Sequence, residues 1–357
     1  MKFLEEIYIS ELNNPDLSLV SIEIDTDANG NHYQSVIIDG KIFPPIDILK
    51  NVEPDTFTQA FEDWKERKED ELLERVENIL KYKDNRDRFN QLEQIYRRNA
   101  VIPFIGAGMS SPTGYLKWED FLYYLQENST IEYTLIKDKI TNGEFEEAAQ
   151  ILYDDMSGPI FNELLSNTYG TDKVIQGPVN FIPYLFNSAV ITTNFDPVLK
   201  TLYDNTSNSF EEVINGSNAE SFTANLGAGK RTLLKLHGDF GNEKERILTL
   251  NEYQKAYDDE SIINTLIEDA FFNRTLLFLG CSLTQDRTIK KMEEYVRLKG
   301  HVRCVKHYCF LECPDTEPRR LEIRNRLSKS NIFPIWYPKE QHNESIEALL
   351  FKLKGSF

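Results

Sequence analysis

Cysteine and histidine are scarce in this chain. Its 357 residues include four cysteines and five histidines, and three of the cysteines lie between Cys304 and Cys313. So few cysteines exclude a disulfide framework of the kind that holds small secreted domains together. We therefore expect the protein to work in the reducing environment of the cytoplasm.

Two further absences narrow the possible functions. Residues 1–12 lack the basic and apolar regions of a secretory signal peptide, and apolar stretches such as Arg274–Leu283 are too short to span a bilayer. The chain has no dense run of Lys or Arg, and its formal net charge of −18 repels phosphate backbones. We expect neither a membrane anchor nor direct binding of nucleic acid.

The N-terminal part of the chain has its own pattern. Runs rich in β-forming residues, Leu17–Asp25 and Tyr33–Phe43, flank turn-forming residues, and this arrangement predicts a hairpin. Farther along, apolar residues that include Phe57, Phe61 and Trp64 recur at nearly helical spacing. This unit either packs on the rest of the protein or serves assembly or regulation.

From Asn99 onward, short apolar runs alternate with helical patterns. The predicted strands are Ala100–Ile105, Ser188–Thr193, Arg231–Leu236, Arg274–Leu279, Val305–Leu311 and Ile332–Trp336. The helical patterns between them include Trp118–Gln126, Glu144–Met156, Glu252–Phe272 and Thr288–Leu298. Alternation of this kind predicts an α/β fold, a doubly wound Rossmann-like parallel sheet. We place this catalytic domain at residues 96–357 and the small α+β appendage at residues 1–95.

The first predicted strand runs into a glycine-rich loop, Pro103-Phe-Ile-Gly-Ala-Gly-Met-Ser110. Gly106 and Gly108 allow the backbone to turn sharply and to approach a pyrophosphate closely. Ser111 stands where the third glycine of a dinucleotide fingerprint is found. A glycine turn without a ligand is therefore the alternative interpretation.

Polar side chains follow two later strands. Asn194 and Asp196 lie two residues apart after the second strand, a spacing that lets both face one crevice, although Asp196 also suits an Asx-type turn. His237 precedes a glycine after the third strand, which suits a general base, although isolated histidines are more often structural.

Two other segments need interpretation. After the fourth strand, Gly280 and Ser282 offer a second close approach to a phosphate or ribose, and Asp286 suits a ribose diol or, alternatively, a helix cap. The segment 301–313 contains three cysteines and two histidines, but its spacing does not match paired zinc-binding arms. We interpret these cysteines as small buried side chains.

In their order along the chain, the four strand-end motifs resemble the sirtuin superfamily between about Asn99 and Pro338. The resemblance implies that Asn194 and His237 are catalytic, with Asn194 holding the nicotinamide ribose and the attacking water and His237 acting as the base. It implies that Asp196 holds the nicotinamide carboxamide. The implied NAD-binding residues are Gly106, Ala107, Gly108, Ser110, Thr193, Asp196, Gly280, Ser282 and Asp286.

The departures from sirtuin deacylases are informative. No cysteine occurs between Asp239 and Asn273, where those enzymes carry a zinc ribbon, and Lys117-Trp118 lies near the position of their Phe-Arg pair. The segment Arg246–Tyr253 is similar instead to the bacterial sirtuin-like branch of antiphage defence. That similarity implies an NAD+ glycohydrolase with NAD as its substrate and no metal. It also implies a homo-oligomer that is triggered by a partner, such as a HerA-type ATPase or another phage sensor.

Two other functions remain open from the sequence. A protein deacylase would use the same NAD pocket, although the missing zinc ribbon disfavours it. A non-catalytic sensor of NAD or an NAD derivative would need neither Asn194 nor His237.

Overall fold

A computed structural model shows the protein as two compact units, Met1–Arg75 and Val76–Phe357. The structure describes residues 2–12, 24–26, 32–34, 36–38, 41–43, 49–258, 261–271, 273–283 and 287–355. None of the helices in these ranges is both long enough and apolar enough to cross a membrane. The division of function between residues 1–95 and 96–357 stays a prediction.

The N-terminal unit contains short antiparallel strand pairs. Strand β1 (Ile24–Thr26) pairs with β2 (His32–Gln34), as the predicted hairpin requires, and its turn residues lie outside the described ranges. Strand β3 (Val36–Ile38) pairs with β4 (Lys41–Phe43). The run predicted at Tyr33–Phe43 therefore contains three short strands instead of one.

The aromatic face predicted in this unit packs on its first helix. Helix α1 spans Lys2–Leu12, and helix α2 spans Pro54–Leu80 and contains the boundary between the two units. The ring of Tyr8 in α1 lies 5.8 Å from Phe57, 5.6 Å from Phe61 and 5.2 Å from Trp64, measured between centroids. These rings form a small apolar cluster within the unit.

The larger unit is built on a parallel sheet of seven strands. They are β5 (Val101–Ile105), β6 (Ala189–Thr192), β7 (Glu212–Asn215), β8 (Thr232–Lys235), β9 (Thr275–Leu279), β10 (His307–Glu312) and β11 (Ile332–Tyr337). Their order across the sheet is β11-β10-β9-β5-β6-β8-β7, and every pairing is parallel. The central strands β5, β6, β8 and β9 are buried along their whole length, as expected when helices cover both faces of a sheet. The predicted doubly wound α/β fold is confirmed.

Helices connect the strands. They are α3 (Asn85–Tyr96), α4 (Trp118–Glu127), α5 (Tyr133–Thr141), α6 (Phe145–Asp155), α7 (Gly158–Tyr169), α8 (Ile182–Leu185), α9 (Val198–Asp204), α10 (Glu220–Gly227), α11 (Leu250–Ala256), α12 (Ile262–Leu266), α13 (Arg287–Lys299), α14 (Glu317–Ser328) and α15 (His342–Lys354). The predicted helices near α4, α6 and α13 are confirmed, with ends that agree to within one residue.

Two sequence predictions need correction. Strand β7 was not predicted, because its four residues form a half-exposed edge of the sheet without a continuous apolar run. The single helix predicted over Glu252–Phe272 is wrong. The segment contains α11, α12 and a π-helical turn at Ile267–Phe271, and the Ser261 hydroxyl accepts a hydrogen bond from the Asn264 amide to begin α12.

The opposite edge of the sheet is closed by side chains of α3. Asn85 donates from Nδ2 to the carbonyl of Trp336 (2.7 Å) and accepts from the Trp336 amide through Oδ1 (2.9 Å). Arg88 donates to the carbonyl of Pro334 (2.6 Å). These contacts satisfy backbone groups of β11 that an edge strand otherwise leaves open to another chain.

The topology determines where the site lies. From β5 the chain passes to β6 on one side, and after β8 it returns to β9 on the other side of β5. The connections therefore diverge at β5, and a crevice opens at the carboxyl ends of β5, β6 and β9. The loops that carry the predicted motifs all begin at this end of the sheet.

Candidate active site

Two glycine loops meet backbone to backbone at the crevice. The Gly106 amide donates to the Leu279 carbonyl, and the Gly108 amide donates to the Gly280 carbonyl, both at 2.9 Å. A Cβ atom on Gly106 would lie 2.6 Å from the Gly280 oxygen, and one on Gly280 would lie 2.5 Å from the Met109 nitrogen. Larger residues do not fit here, so close approach of the two loops explains both glycines.

The first loop consists of short 3-10 turns after β5, Ala107–Met109 and Ser111–Thr113. The turns are closed by backbone hydrogen bonds, in which the Met109 amide donates to the Gly106 carbonyl (3.0 Å) and the Ser110 amide donates to the Ala107 carbonyl (3.1 Å). The two glycine motifs singled out in the sequence thus form one surface of backbone groups.

Ser110 joins this surface to the two polar residues after β6. Asn194 donates from Nδ2 to the Ser110 hydroxyl oxygen at 3.1 Å, and Ser110 also hydrogen-bonds the Asp196 carboxylate. All three side chains are buried, with exposed fractions of 2% for Ser110 and 7% for Asn194 and Asp196. Thr193 lies beside them, where its amide donates to the Ile105 carbonyl at 3.4 Å. The structure therefore brings together residues from the first and second motifs.

The Asp196 carboxylate contacts the start of the following helix and also the buried Ser110. Its Oδ1 accepts from the Val198 amide at 3.1 Å, so the Asx-type contact considered as an alternative is present. Burial raises the pKa of Asp196, while hydrogen bonds from Ser110 and the Val198 amide and the charge of Lys235 oppose that rise. A local cap explains neither the extent of burial nor the contact with Ser110.

His237 is enclosed by two tyrosines that sequence reasoning did not assign to the site. Its Nε2 lies 2.8 Å from the hydroxyl of Tyr257, and its Nδ1 lies 3.3 Å from the hydroxyl of Tyr253. Tyr257 in turn lies 2.9 Å from the Thr288 hydroxyl. Tyr253 lies in α11, and Tyr257 directly follows that helix. Their spacing of four residues is visible in the sequence and is typical of side chains on one face of a helix.

The loop after His237 needs its glycine. Gly238 has φ +78°, and a Cβ atom there would lie 2.2 Å from the Glu245 carbonyl oxygen. The chain then returns, and the Ile247 amide donates to the His237 carbonyl at 2.9 Å. This tight turn presents His237 at the crevice.

Helices α6 and α7 form a wall that is bound to the histidine loop by charged groups. Arg246 is fully buried and donates to Asn162 (2.6 Å) and to Glu252 (2.9 Å). Arg287 donates to both carboxylate oxygens of Glu146, and its guanidinium lies 5.5 Å from the ring of Tyr253. These contacts connect the wall to Tyr253 and so to His237.

Another predicted residue, Ser282, follows β9. Ser282 is exposed at the crevice end of the sheet. Asp286 lies outside the described residues, so its predicted role in ribose binding stays a prediction.

The cysteine-rich segment is part of the core. Cys304 and Cys309 are buried, Cys313 is half-buried, and all four cysteines of the chain are free thiols. Burial lowers the pKa of His307 to about 3, and its Nδ1 accepts from the Leu276 amide at 3.0 Å. Among the described residues, no three His, Cys, Asp or Glu side chains are grouped so that they would hold a metal ion.

Described residues of this unit line cavities at both ends of the sheet. One of about 250 Å³ borders Tyr115, Pro197 and Val198, next to Asp196. Another of about 410 Å³ borders Ala100, Thr275 and Lys306 at the amino ends of the strands, away from every predicted motif. The smaller cavity is therefore the one next to the candidate site.

The chain is similar to several known proteins. Residues 188–335 match the SIR2-like domain family. The chain is 25% identical to the NAD(+) hydrolase ThsA of Enterococcus faecium over 223 residues, which is 61% of this chain and 44% of that protein. It is 25% identical to defense-associated sirtuin 2 of Bacillus subtilis over 230 residues, 63% of this chain and 22% of that protein. A ThsA NAD(+) hydrolase of Acinetobacter baumannii (strain 532279) is 25% identical over 222 residues, 61% of this chain and 43% of that protein. The match covers less than half the length of each of these relatives.

Proposed function

We propose that this chain, which is sirtuin-like and carries a SIR2-like domain, is an NAD+ glycohydrolase that cleaves NAD to nicotinamide and ADP-ribose in antiphage defence. The observation that carries the proposal is the placement of Asn194 and His237. Both are buried polar side chains that follow adjacent parallel strands, β6 and β8, and Asn194 hydrogen-bonds Ser110 of the first glycine loop. The relatives' names, NAD(+) hydrolase and defense-associated sirtuin, support the same function.

The glycine loops account for binding of the cofactor-like substrate. The Gly106–Ser110 and Gly280–Ser282 loops follow β5 and β9 at the crevice end of the sheet, where their glycines would let the pyrophosphate approach the backbone closely. This binding is remote from the bond that breaks, so its free energy serves to position the ribose. Nicotinamide in NAD+ is already a cationic leaving group, so the reaction needs no redox step.

Three side chains would act at the reacting end. Asp196 accepts a hydrogen bond from the carboxamide of nicotinamide and holds it as it leaves. Asn194 orients the ribose and the water that attacks the anomeric carbon. His237 accepts the proton from that water or from a ribose hydroxyl, and positive charge that develops on the sugar is relieved as the new C–O bond forms.

The test is release of nicotinamide from NAD by the purified chain. We expect His237→Ala and Asn194→Ala to reduce release at least about 100-fold, the usual contribution of a general base. The exposed His301→Ala and the exposed Asn128→Ala serve as matched controls and should keep full activity. Full activity in His237→Ala would contradict the assignment.

The same assay separates the other candidate functions. Release that occurs only when an acetylated peptide is added would identify a deacylase. Tight binding of NAD without release, with and without the candidate activator, would identify a sensor.

The proposal includes control of the enzyme. An unregulated NAD hydrolase would exhaust the NAD of its own cell. In this structure, tyrosine hydroxyls lie near both ring nitrogens of His237. We therefore place the protein in the cytoplasm as a homo-oligomer that a partner activates, such as a HerA-type ATPase or another phage sensor. Light scattering, together with nicotinamide release in the presence of the partner, tests this part.

A further inference from the structure

We propose that Lys235 is a positioning residue for the proposed reaction: its buried ammonium group holds the Asn194–Asp196 loop against the histidine loop. The proposal rests on the proposed function, because it concerns how the same site is kept in working geometry. It assigns a role to a residue for which the sequence alone indicated none.

The contacts of Lys235 are complete and connect two loops. Its Nζ donates to the carbonyl of Phe195 at 3.0 Å, to the carbonyl of Asp196 at 3.3 Å and to the carboxylate of Asp239. The side chain is only 5% exposed. An ammonium group has three N–H donors, and each has an acceptor here. A buried charge without partners is costly, so the three acceptors stabilise the ammonium group in this buried position.

The position of Lys235 in the strand explains why it reaches both loops. It is the last residue of β8 and lies two residues before His237, while Asp239 lies two residues after it. The strand ends at Lys235, and the chain then turns, with the Gly238 amide donating to the Lys235 carbonyl at 2.9 Å. The Lys235–Asp239 ion pair therefore spans the turn that carries His237, and its two carbonyl contacts anchor the loop that carries Asp196.

Lys235 also influences the charge of Asp196. The groups that lower the pKa of this carboxyl include the Ser110 hydroxyl, the Val198 amide and the charge of Lys235. The negative charge of Asp196 in turn raises the pKa of Tyr115 and Tyr169. Burial raises the pKa of Asp196, and the positive charge of Lys235 lowers it. Because only the carboxylate can accept a hydrogen bond at both oxygens, binding of the carboxamide should improve as pH rises through this pKa.

This arrangement predicts opposite effects for the two members of the ion pair. Lys235→Met removes the positive charge, so the pKa of Asp196 rises and NAD affinity is lost at a higher pH than in the wild type. Asp239→Asn removes a negative charge and leaves the charge of Lys235 uncompensated, so the pKa of Asp196 falls and affinity persists to lower pH. A merely structural role would weaken binding equally at all pH values.

The experiment measures, as a function of pH, the Kd for NAD by calorimetry and kcat and KM for nicotinamide release. We expect the loss of NAD affinity at low pH (the acid limb) to begin at a higher pH in Lys235→Met and at a lower pH in Asp239→Asn than in the wild type. KM should change more than kcat. The pair Glu93 and Arg97 at the end of α3 has the same i,i+4 spacing, so Arg97→Met and Glu93→Gln are the matched controls and should leave the acid limb unchanged.

A second measurement keeps the test independent of folding defects and of turnover. Asp239→Asn retains an Oδ1 that can accept from the Gly241 amide (3.2 Å), so it should fold even if Lys235→Met does not. The 13C NMR signal of the Asp196 carboxyl can be assigned by its absence from the spectrum of Asp196→Asn. Its titration reports the pKa of Asp196 without NAD.

The outcomes are distinct. Carboxyl titrations that move in opposite directions support the inference even if no nicotinamide is released, a result that would reject the proposed function alone. A titration of Asp196 that is the same in wild type and Asp239→Asn, or that moves to higher pH in Asp239→Asn, would overturn the inference.

Discussion

The Nε2 atom of His237 lies 2.8 Å from the hydroxyl oxygen of Tyr257, and that hydroxyl lies 2.9 Å from the Thr288 hydroxyl. All three residues are buried. A neutral imidazole carries one donor and one acceptor nitrogen, so a hydroxyl at Nε2 helps to decide which nitrogen holds the proton. Tyr257 is therefore expected to set the tautomer and orientation of the proposed base.

The first prediction concerns Tyr257→Phe, which keeps the ring and removes the hydroxyl. We expect nicotinamide release to fall by about 10-fold to 100-fold, because the base loses its orienting partner. The measurement is kcat for nicotinamide release together with the 15N shifts of the His237 ring, which report the tautomer. Tyr123→Phe, on the surface of α4, is the control. An unchanged tautomer and unchanged kcat would show that the contact is incidental.

The second prediction concerns Gly280. Its φ is +66° and a Cβ atom would lie 2.5 Å from the Met109 nitrogen, so Gly280→Ala is hindered by both conformation and space. We expect a loss of about 2–4 kcal/mol in the free energy of unfolding and a weaker affinity for NAD.

Gly229 provides the matched control for this change. It has φ +71° and nothing lies within 4 Å of an added Cβ atom. Gly229→Ala should therefore cost only about 1–2 kcal/mol, the penalty of the left-handed conformation. Urea unfolding measures both, and equal losses in the two variants would mean that the approach of the glycine loops is unimportant.

The third prediction concerns the buried ion pair of Arg246 and Glu252. Arg246→Met leaves the Glu252 carboxylate without its charged partner, and we expect a loss of about 3–5 kcal/mol in the free energy of unfolding. The exposed pair Arg319 and Glu322 is the control, and Arg319→Met should cost at most about 1 kcal/mol. Denaturant midpoints measure both, and similar losses would contradict the role assigned to burial.

The fourth prediction concerns pH and His307. Burial lowers the pKa of His307 to about 3, whereas an unfolded histidine titrates near about 6.5. Below about pH 6.5 the unfolded state therefore binds more protons, and stability is lost as pH falls from there toward 3. Above that pH the contribution of His307 is complete.

The variant His307→Asn isolates this contribution, because the asparagine oxygen can replace Nδ1 as acceptor for the Leu276 amide. Between pH 6 and pH 4 the wild type should lose stability faster than the variant by up to about 1.4 kcal/mol per pH unit. His301→Asn, at an exposed histidine, should leave the slope unchanged. Identical slopes in wild type and His307→Asn would reject the prediction.

Much of the fold was predictable because its signals are local. Six of the seven sheet strands appear as short apolar runs, and the glycines of the first and fourth motifs mark turns that follow them directly. Strand β7 and the break between α11 and α12 were missed because a short edge strand and a polar helix junction carry little periodicity.

The sequence by itself determined the residue types at each strand end, and with them the proposed chemistry of Asn194, Asp196 and His237. The tertiary structure decided what surrounds them: Ser110 between Asn194 and Asp196, Tyr253 and Tyr257 at His237, and Lys235 between the two loops. These contacts join residues that are far apart in the chain or on different elements. Periodicity reports which face of an element is buried, but only the packing of elements determines which side chains meet there.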